Sequence, residues 1–263
     1  MSLDLPFLIA PRSLAVLALT IVRMSALVLV APFFSSRAVP VSLRTALILG
    51  LALLLHPVAL SHATPVVEVT PGTVLDEALI GFAIGLGAAL FVGAAEMAGD
   101  VIAIQSGLSG AATLDPMTSI SMPVMGQFMQ LFTLVLLLAA NAHLVMLDAV
   151  AVSLREFPTG GIANLAAGVA AMLSAGSALF VLGIRFAAPV IGAILVTNVA
   201  LAILTRAAPQ LNVLSVAFPL QIGVGLFVLA MALPFIATAF TNWSADYDAL
   251  LTGMLGAFAT GGR

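Results

Sequence analysis

Long apolar stretches, each close to the length of a bilayer-crossing helix, follow one another from Ser13 to Phe240, with charged residues isolated inside or between them. Such a crossing takes about 20 residues. In hydrocarbon each backbone N–H and C=O must be bonded within the protein, and a helix does this inside a single segment. The first stretch runs from about Ser13 to Phe34, with Arg23 near its middle and Pro32 near its end. Thr45 to Leu60 is the second. Between Leu60 and the third stretch, Ser61 to Glu77 reads as an acidic, proline-bearing connection. The third, Ala78 to Ala98, is rich in Gly and Ala. The fourth, from Met122 to about Leu154, is too long for one straight span. Ile162 to Leu204 holds two apolar runs around Arg185 and Pro189, and Val213 to Phe240 is a last segment interrupted by Pro219 and Pro234. The pattern predicts an all-α polytopic integral membrane protein of about six helical segments, several broken by Pro or Gly. It predicts a single membrane domain over residues 1–263, with residues 99–121 as a central Gly/Ser-rich loop.

Composition closes off the rivals. Hydrophobic residues make up 62% of the 263 and charged residues only 7%, against about 25% charged in soluble domains, so no water-facing surface can be built. All eight basic residues are Arg, and the net charge of −3 lacks the basic footprint of a nucleic-acid binder. Cysteine is absent, which removes disulfides, thiolate metal sites and haem attachment. The first apolar run has no following small-residue cleavage pattern and reads as an uncleaved helix.

Several smaller patterns invite a chemical reading. Gly81 and Gly85 sit one turn apart, a spacing that lets two helix backbones approach closely in lipid. Arg23, Glu96, Asp100, Asp148 and Arg185 are ionisable groups inside apolar runs, each costly in lipid. They read either as internal ion pairs that fix packing or as a polar translocation path. Met122, Met125 and Met129 share one helix face, which serves a packed core or, beside a flexible loop, a deformable seal. Gly107-Leu108-Ser109-Gly110 resembles the motif around the nucleophile of rhomboid-type intramembrane proteases, with His143 as the conceivable base. The polar residues that follow depart from that pattern, and no catalytic residue is assigned. His56, His62 and His143 lack metal-ligand spacing, and no metal or cofactor is expected. Asn141 and His143 read as backbone- or helix-bonded side chains, or as the lining of a polar cavity.

The strongest family signature is Leu204-Thr205-Arg206-Ala207-Ala208-Pro209-Gln210-Leu211-Asn212-Val213, followed by Ala217-Phe218-Pro219-Leu220. Upstream, Gly99-Asp100, Gln105-Ser106-Gly107-Leu108 and Asp115-Pro116 add to it, as do Arg23, Pro32, Pro40 and Arg44. From about residue 13 to 240 the chain resembles the flagellar biosynthetic FliR family, which has injectisome homologues. Two departures are Asn141-Ala142-His143, where the family usually has Asn-Gly-His, and Leu201-Ala202, where it commonly has Leu-Gly. Such glycine-to-alanine changes are mild within helices. The resemblance implies a non-enzymatic subunit of the flagellar type III export gate in the bacterial inner membrane, within the basal body. FliP-like and FliQ-like membrane subunits, with FlhB-like and FlhA-like proteins, would be its partners. Unfolded exported proteins would be its cargo, and membrane lipid its surroundings. It also implies that the central loop plugs the closed pore.

The residues themselves agree with a movable plug over Ser106 to Met117. Gly107 and Gly110 adopt many backbone conformations at low steric cost. Ser109, Ala111, Ala112 and Thr113 are small, and Leu108 alone is bulky. Asp115-Pro116 gives a defined end, because proline fixes φ and restricts the residue before it. Arg23, Asp100, Gln105, Arg206, Pro209, Gln210, Asn212 and Pro219 are expected to hold the fold and its assembly. A secondary transporter is the competing reading, supported by broken helices and buried ions, but it would predict an internal repeat that is not visible.

Overall fold

The computed structural model describes residues 10–36, 39–108, 124–161, 164–208, 210 and 213–259. Among these residues all regular structure is helical. The elements are α1 (Pro11–Val30), α2 (Pro32–Ser35), α3 (Val41–His62), α4 (Pro71–Gln105), α5 (Val124–Ala139), α6 (Ala142–Glu156), α7 (Leu165–Ala207), α8 (Val213–Ala239) and α9 (Trp243–Ala259). Helices α1, α3, α4, α7 and most of α8 are each long and apolar enough to cross a bilayer. The pair α5–α6 passes the same test only when its two helices are taken together, as a broken span or a re-entrant loop. The chain is an all-α polytopic membrane protein.

Local chemistry sets the helix boundaries. The first apolar run breaks at Ala31, which is extended at φ −61° and ψ 124° because Pro32 disfavours the helical region for the residue before it. Helix α4 starts earlier than its apolar pattern suggested. The Thr70 hydroxyl accepts the Thr73 amide at 3.2 Å and the Thr73 hydroxyl accepts the Thr70 amide at 3.0 Å, a reciprocal cap on orphan donors. Asp76 and Glu77 therefore lie inside a helix and not in a connection. The same helix runs on to Gln105, so residues 99–105 of the expected central loop are helical. Asn141 takes the left-handed conformation, φ 55°, and breaks the expected long fourth segment into α5 and α6. Helix α7 stays continuous for 43 residues through Pro189, and α8 through Pro219 and Pro234. Helix α9 has no counterpart among the expected segments, since Asp246 and Asp248 dilute its apolar signal.

The chain forms two compact units, Met1–Leu90 with Asn141–Gly176 and Ser244–Arg263, and Phe91–Ala140 with Ser177–Trp243. In the first, α1 packs along α3, and Ser13 Oγ meets His56 Nε2 at 2.9 Å in the interior. Arg12 donates to the carbonyls of Ala63 and Thr64 at 3.0 and 3.1 Å, closing the exposed C-terminal end of α3 with a cation. Gly81 faces the backbone carbonyl of Arg23 so closely that a Cβ would collide with it, and a Cβ on Gly85 would lie 3.0 Å from the Leu27 carbonyl. The glycine spacing thus does what it predicted: α1 and α4 meet backbone to backbone. The Tyr247 hydroxyl donates to the Ile84 carbonyl at 2.8 Å, tying α9 to α4.

Arg23 sits inside this unit with its side chain fully buried. Its Nε donates to Glu77 Oε2 at 2.6 Å, one terminal nitrogen to Ser153 Oγ at 3.0 Å, and the other to the Phe157 carbonyl at 3.0 Å. The Gly160 amide also bonds to Glu77. One guanidinium therefore joins α1, α4 and the end of α6, and its charge is balanced where it lies. In the second unit the core is formed by Ile102, Met129, Phe186, Ile194, Leu229 and Ile236.

Two outcomes are expected. Glu77→Ala leaves a buried unpaired cation and should cost about 3–5 kcal/mol of stability, most of it recovered when Arg23 and Glu77 are both replaced by Leu. Thermal unfolding of the extracted protein reads this, and an unchanged midpoint in Glu77→Ala would show that the pair contributes nothing. Gly81→Leu should cost about 1–3 kcal/mol by forcing two backbones apart. Gly50→Leu, where a Cβ meets nothing within 4 Å, should be close to neutral.

Candidate functional site

The candidate site lies in the second unit, where α4 ends and the proposed plug begins. Ser106 is fully buried. Its Oγ donates to the Ile102 carbonyl at 2.7 Å, a back-bond that helix-ending serines make in apolar surroundings. Gly225 on α8 lies against it, and a Cβ there would stand 2.8 Å from Ser106 Cβ. Gly107 then ends the helix at φ 75°, the left-handed terminus that glycine adopts without a Cβ penalty. The Phe218 ring stands 3.0 Å from the position a Gly107 Cβ would take. Two constraints therefore select glycine at 107: backbone sign and space. Leu108 is exposed, and Ser109 through Met117 lie outside the described residues.

Phe218 and Gln221 approach Gly107 from α8, and Gln221 Nε2 donates to Asn198 Oδ1 on α7 at 2.6 Å. Asn198 and Gln221 were not singled out by the sequence analysis. Their signal was available, since an amide inside an apolar run must find a partner.

Deeper in α4, Glu96 and Asp100 lie one turn apart and face α5. Glu96 Oε2 accepts from Gln130 Nε2 at 3.1 Å. Asp100 lies directly over Gly126, where any Cβ would collide with its carboxyl group, and its buried Oδ1 has no hydrogen-bond partner among the described residues. Gly99 allows the α4 backbone to press on the Met125 carbonyl in the same way. Of the expected methionine face, Met129 is fully buried and Met125 half-buried, while Met122 lies outside the described residues.

The other expected site residues are dispersed. Gln105, Arg206 and Gln210 are exposed, Pro219 is an exposed position within α8, and Pro209 and Asn212 fall outside the described residues. Arg23 belongs to the first unit and is used there. Asn141 bonds through its backbone carbonyl to the Leu144 and Val145 amides, and His143 is half-buried beside it in sequence. Among the described residues no three of His, Asp and Glu gather as a metal-binding group.

The ionisable residues inside apolar runs thus separate into classes. Arg23 is an internal ion pair, Glu96 is hydrogen-bonded, and Asp100 keeps a buried oxygen with no hydrogen-bond partner among the described residues. Asp148 and Arg185 are exposed, and neither has a partner among the described residues.

Comparison with known proteins gives this arrangement a family. Residues 14–246 match the model for bacterial export proteins, family 1. The flagellar biosynthetic protein FliR of Escherichia coli is 32% identical over 218 residues, covering 82% of this chain and 84% of the relative. FliR of Bacillus subtilis is 32% identical over 235 residues, 85% of this chain and 88% of its own length. FliR of Caulobacter vibrioides is 33% identical over 232 residues, 86% and 92%. Identity at that level along most of both chains, on a fold of long apolar helices, means that this chain belongs to the FliR family of bacterial export proteins.

Proposed function

We propose that this chain is a non-enzymatic subunit of the flagellar type III export gate in the bacterial inner membrane. With FliP-like and FliQ-like partners it forms the channel through which unfolded flagellar subunits cross, next to FlhB-like and FlhA-like proteins of the same apparatus. The observation that carries this reading is the family match over residues 14–246, joined to relatives named as flagellar biosynthetic proteins. The surface supports it. Most of the apolar surface of α7 and α8 is not buried within the described chain, leaving long faces for lipid and for partner helices.

Within this reading Ser106 to Met117 is the movable plug. Its fixed end is the Ser106–Gly107 turn, held by Gly225 and Phe218. Arg206, Pro209, Gln210 and Asn212, between two apolar runs, contribute to assembly of the complex.

Deleting Gly107 to Thr113 should leave the complex assembled but make the membrane leaky to ions and small solutes. Ser109→Ala should leave both secretion and leakage unchanged, since small size and not a hydroxyl is needed there. An assembled deletion mutant that stays tight to ions would rule out the plug. Complete loss of function in Ser109→Ala would favour hydroxyl chemistry instead. Co-purification of FliP-like and FliQ-like proteins with the wild-type chain tests the gate assignment itself.

A further inference from the structure

Arg185 stands alone in an apolar helix. It lies at the centre of α7, with no other charged residue between Leu165 and Thr205. Its side chain is exposed and has no partner among the described residues. At about 1.5 Å per residue, each flank of α7 extends about 30 Å from it, far beyond the reach of a guanidinium. Pro189 sits one turn on. Lacking an N–H, it deprives the Arg185 carbonyl of the amide that would close the i→i+4 bond. A cation and an incompletely bonded carbonyl thus share one turn of an exposed apolar face.

Neither placement of a bilayer accommodates this turn without protein. If Arg185 lies at membrane depth, it is an unpaired charge facing lipid. If it lies at the headgroups, where a lipid phosphate could pair with it, one apolar flank stands in water. That flank exposes either Phe180, Val181 and Ile184 at 56–64% or Leu195, Val196 and Val199 at 56–67%. Along the same face, Val181, Arg185, Ala188 and Gly192 recur at helical spacing and are exposed. A Cβ on Gly192 would meet nothing within 4 Å, so a second helix can approach closely there.

We infer that this face of α7 is the seat of a transmembrane helix of a partner subunit, and that the helix carries an Asp or Glu carboxylate opposite Arg185. Charge complementarity identifies the occupant: the carboxylate accepts the guanidinium hydrogen bonds in a dry contact, where such pairs are strong. The inference rests on the export-gate reading, which supplies membrane partners.

The test uses the chain co-expressed with the FliP-like and FliQ-like subunits of the same bacterium. Arg185→Leu keeps the face apolar and the chain inserted, and should lower co-purified partner by about tenfold or more. Arg185→Lys, which keeps the charge, should retain more partner than Leu. Because the chain has no cysteine, a benzophenone attached to Gly192→Cys is a unique probe. It should crosslink to a partner segment containing an acidic residue, and lose that product when Arg185→Leu is added. Co-purified partner unchanged by Arg185→Leu, with the wild-type complex formed, or a probe at residue 192 that captures only lipid, overturns the assignment alone. A wild-type chain that associates with neither subunit overturns the export-gate reading and this assignment with it.

Discussion

Burying a guanidinium in an apolar interior is tolerable only when its charge is balanced and its donors are used. In the first unit Arg23 is served on both counts: Glu77 balances its charge and takes the Nε proton, while Ser153 and the Phe157 carbonyl each take one proton from a terminal nitrogen. The geometry around it follows from that need. Helix α1 must come close enough to α4 for a 2.6 Å contact, and Gly81 and Gly85 allow this by removing the side chains that would hold the backbones apart. The end of α6 must then close over the pair, and the Gly160 amide completes Glu77. A polar tie of this kind adds little net energy over a hydrophobic core of equal volume. It does penalise every packing in which the partners fail to meet.

The second unit handles polarity differently. Its amides and carboxylates pair side by side along helix faces, Gln130 with Glu96 and Gln221 with Asn198, and its close approaches are made at Gly99, Gly126 and Gly225. Asp100 is left with one buried oxygen unbonded, and α7 presents Arg185 outward. Unspent hydrogen-bonding capacity of this sort suits a chain that completes itself against neighbours, because each such group is costly in lipid until a partner arrives. A self-sufficient transporter would be expected to close these groups internally around its own substrate path.

Much of the fold was legible from local pattern. The apolar runs predicted the spans, the length of the fourth run its division, and Gly81–Gly85 a backbone contact. What was misread depended on weak local signals. Thr70 and Thr73 start α4 ahead of Asp76 and Glu77, so two acidic residues that look like a loop are helical. Pro189 reads as a break, yet α7 runs through it, since a proline in a membrane helix removes one bond without removing the helix. Of the candidate plug, the Ser106–Gly107 turn is placed by contacts with α8 that no motif in the sequence announces.

Taken by itself, the sequence determined that this chain is helical, that it lives in a membrane, and which family it resembles. Hydropathy and backbone satisfaction are local quantities that sum along a segment, so they can be read without knowing where the segment lies. Tertiary structure alone decided what each charge in those segments does. Arg23 is neutralised by a residue 54 positions away and further bonded by one 130 positions away, while Arg185 in an equally apolar run meets no partner among the described residues. Pairing depends on which faces meet in space, and helical spacing does not record that.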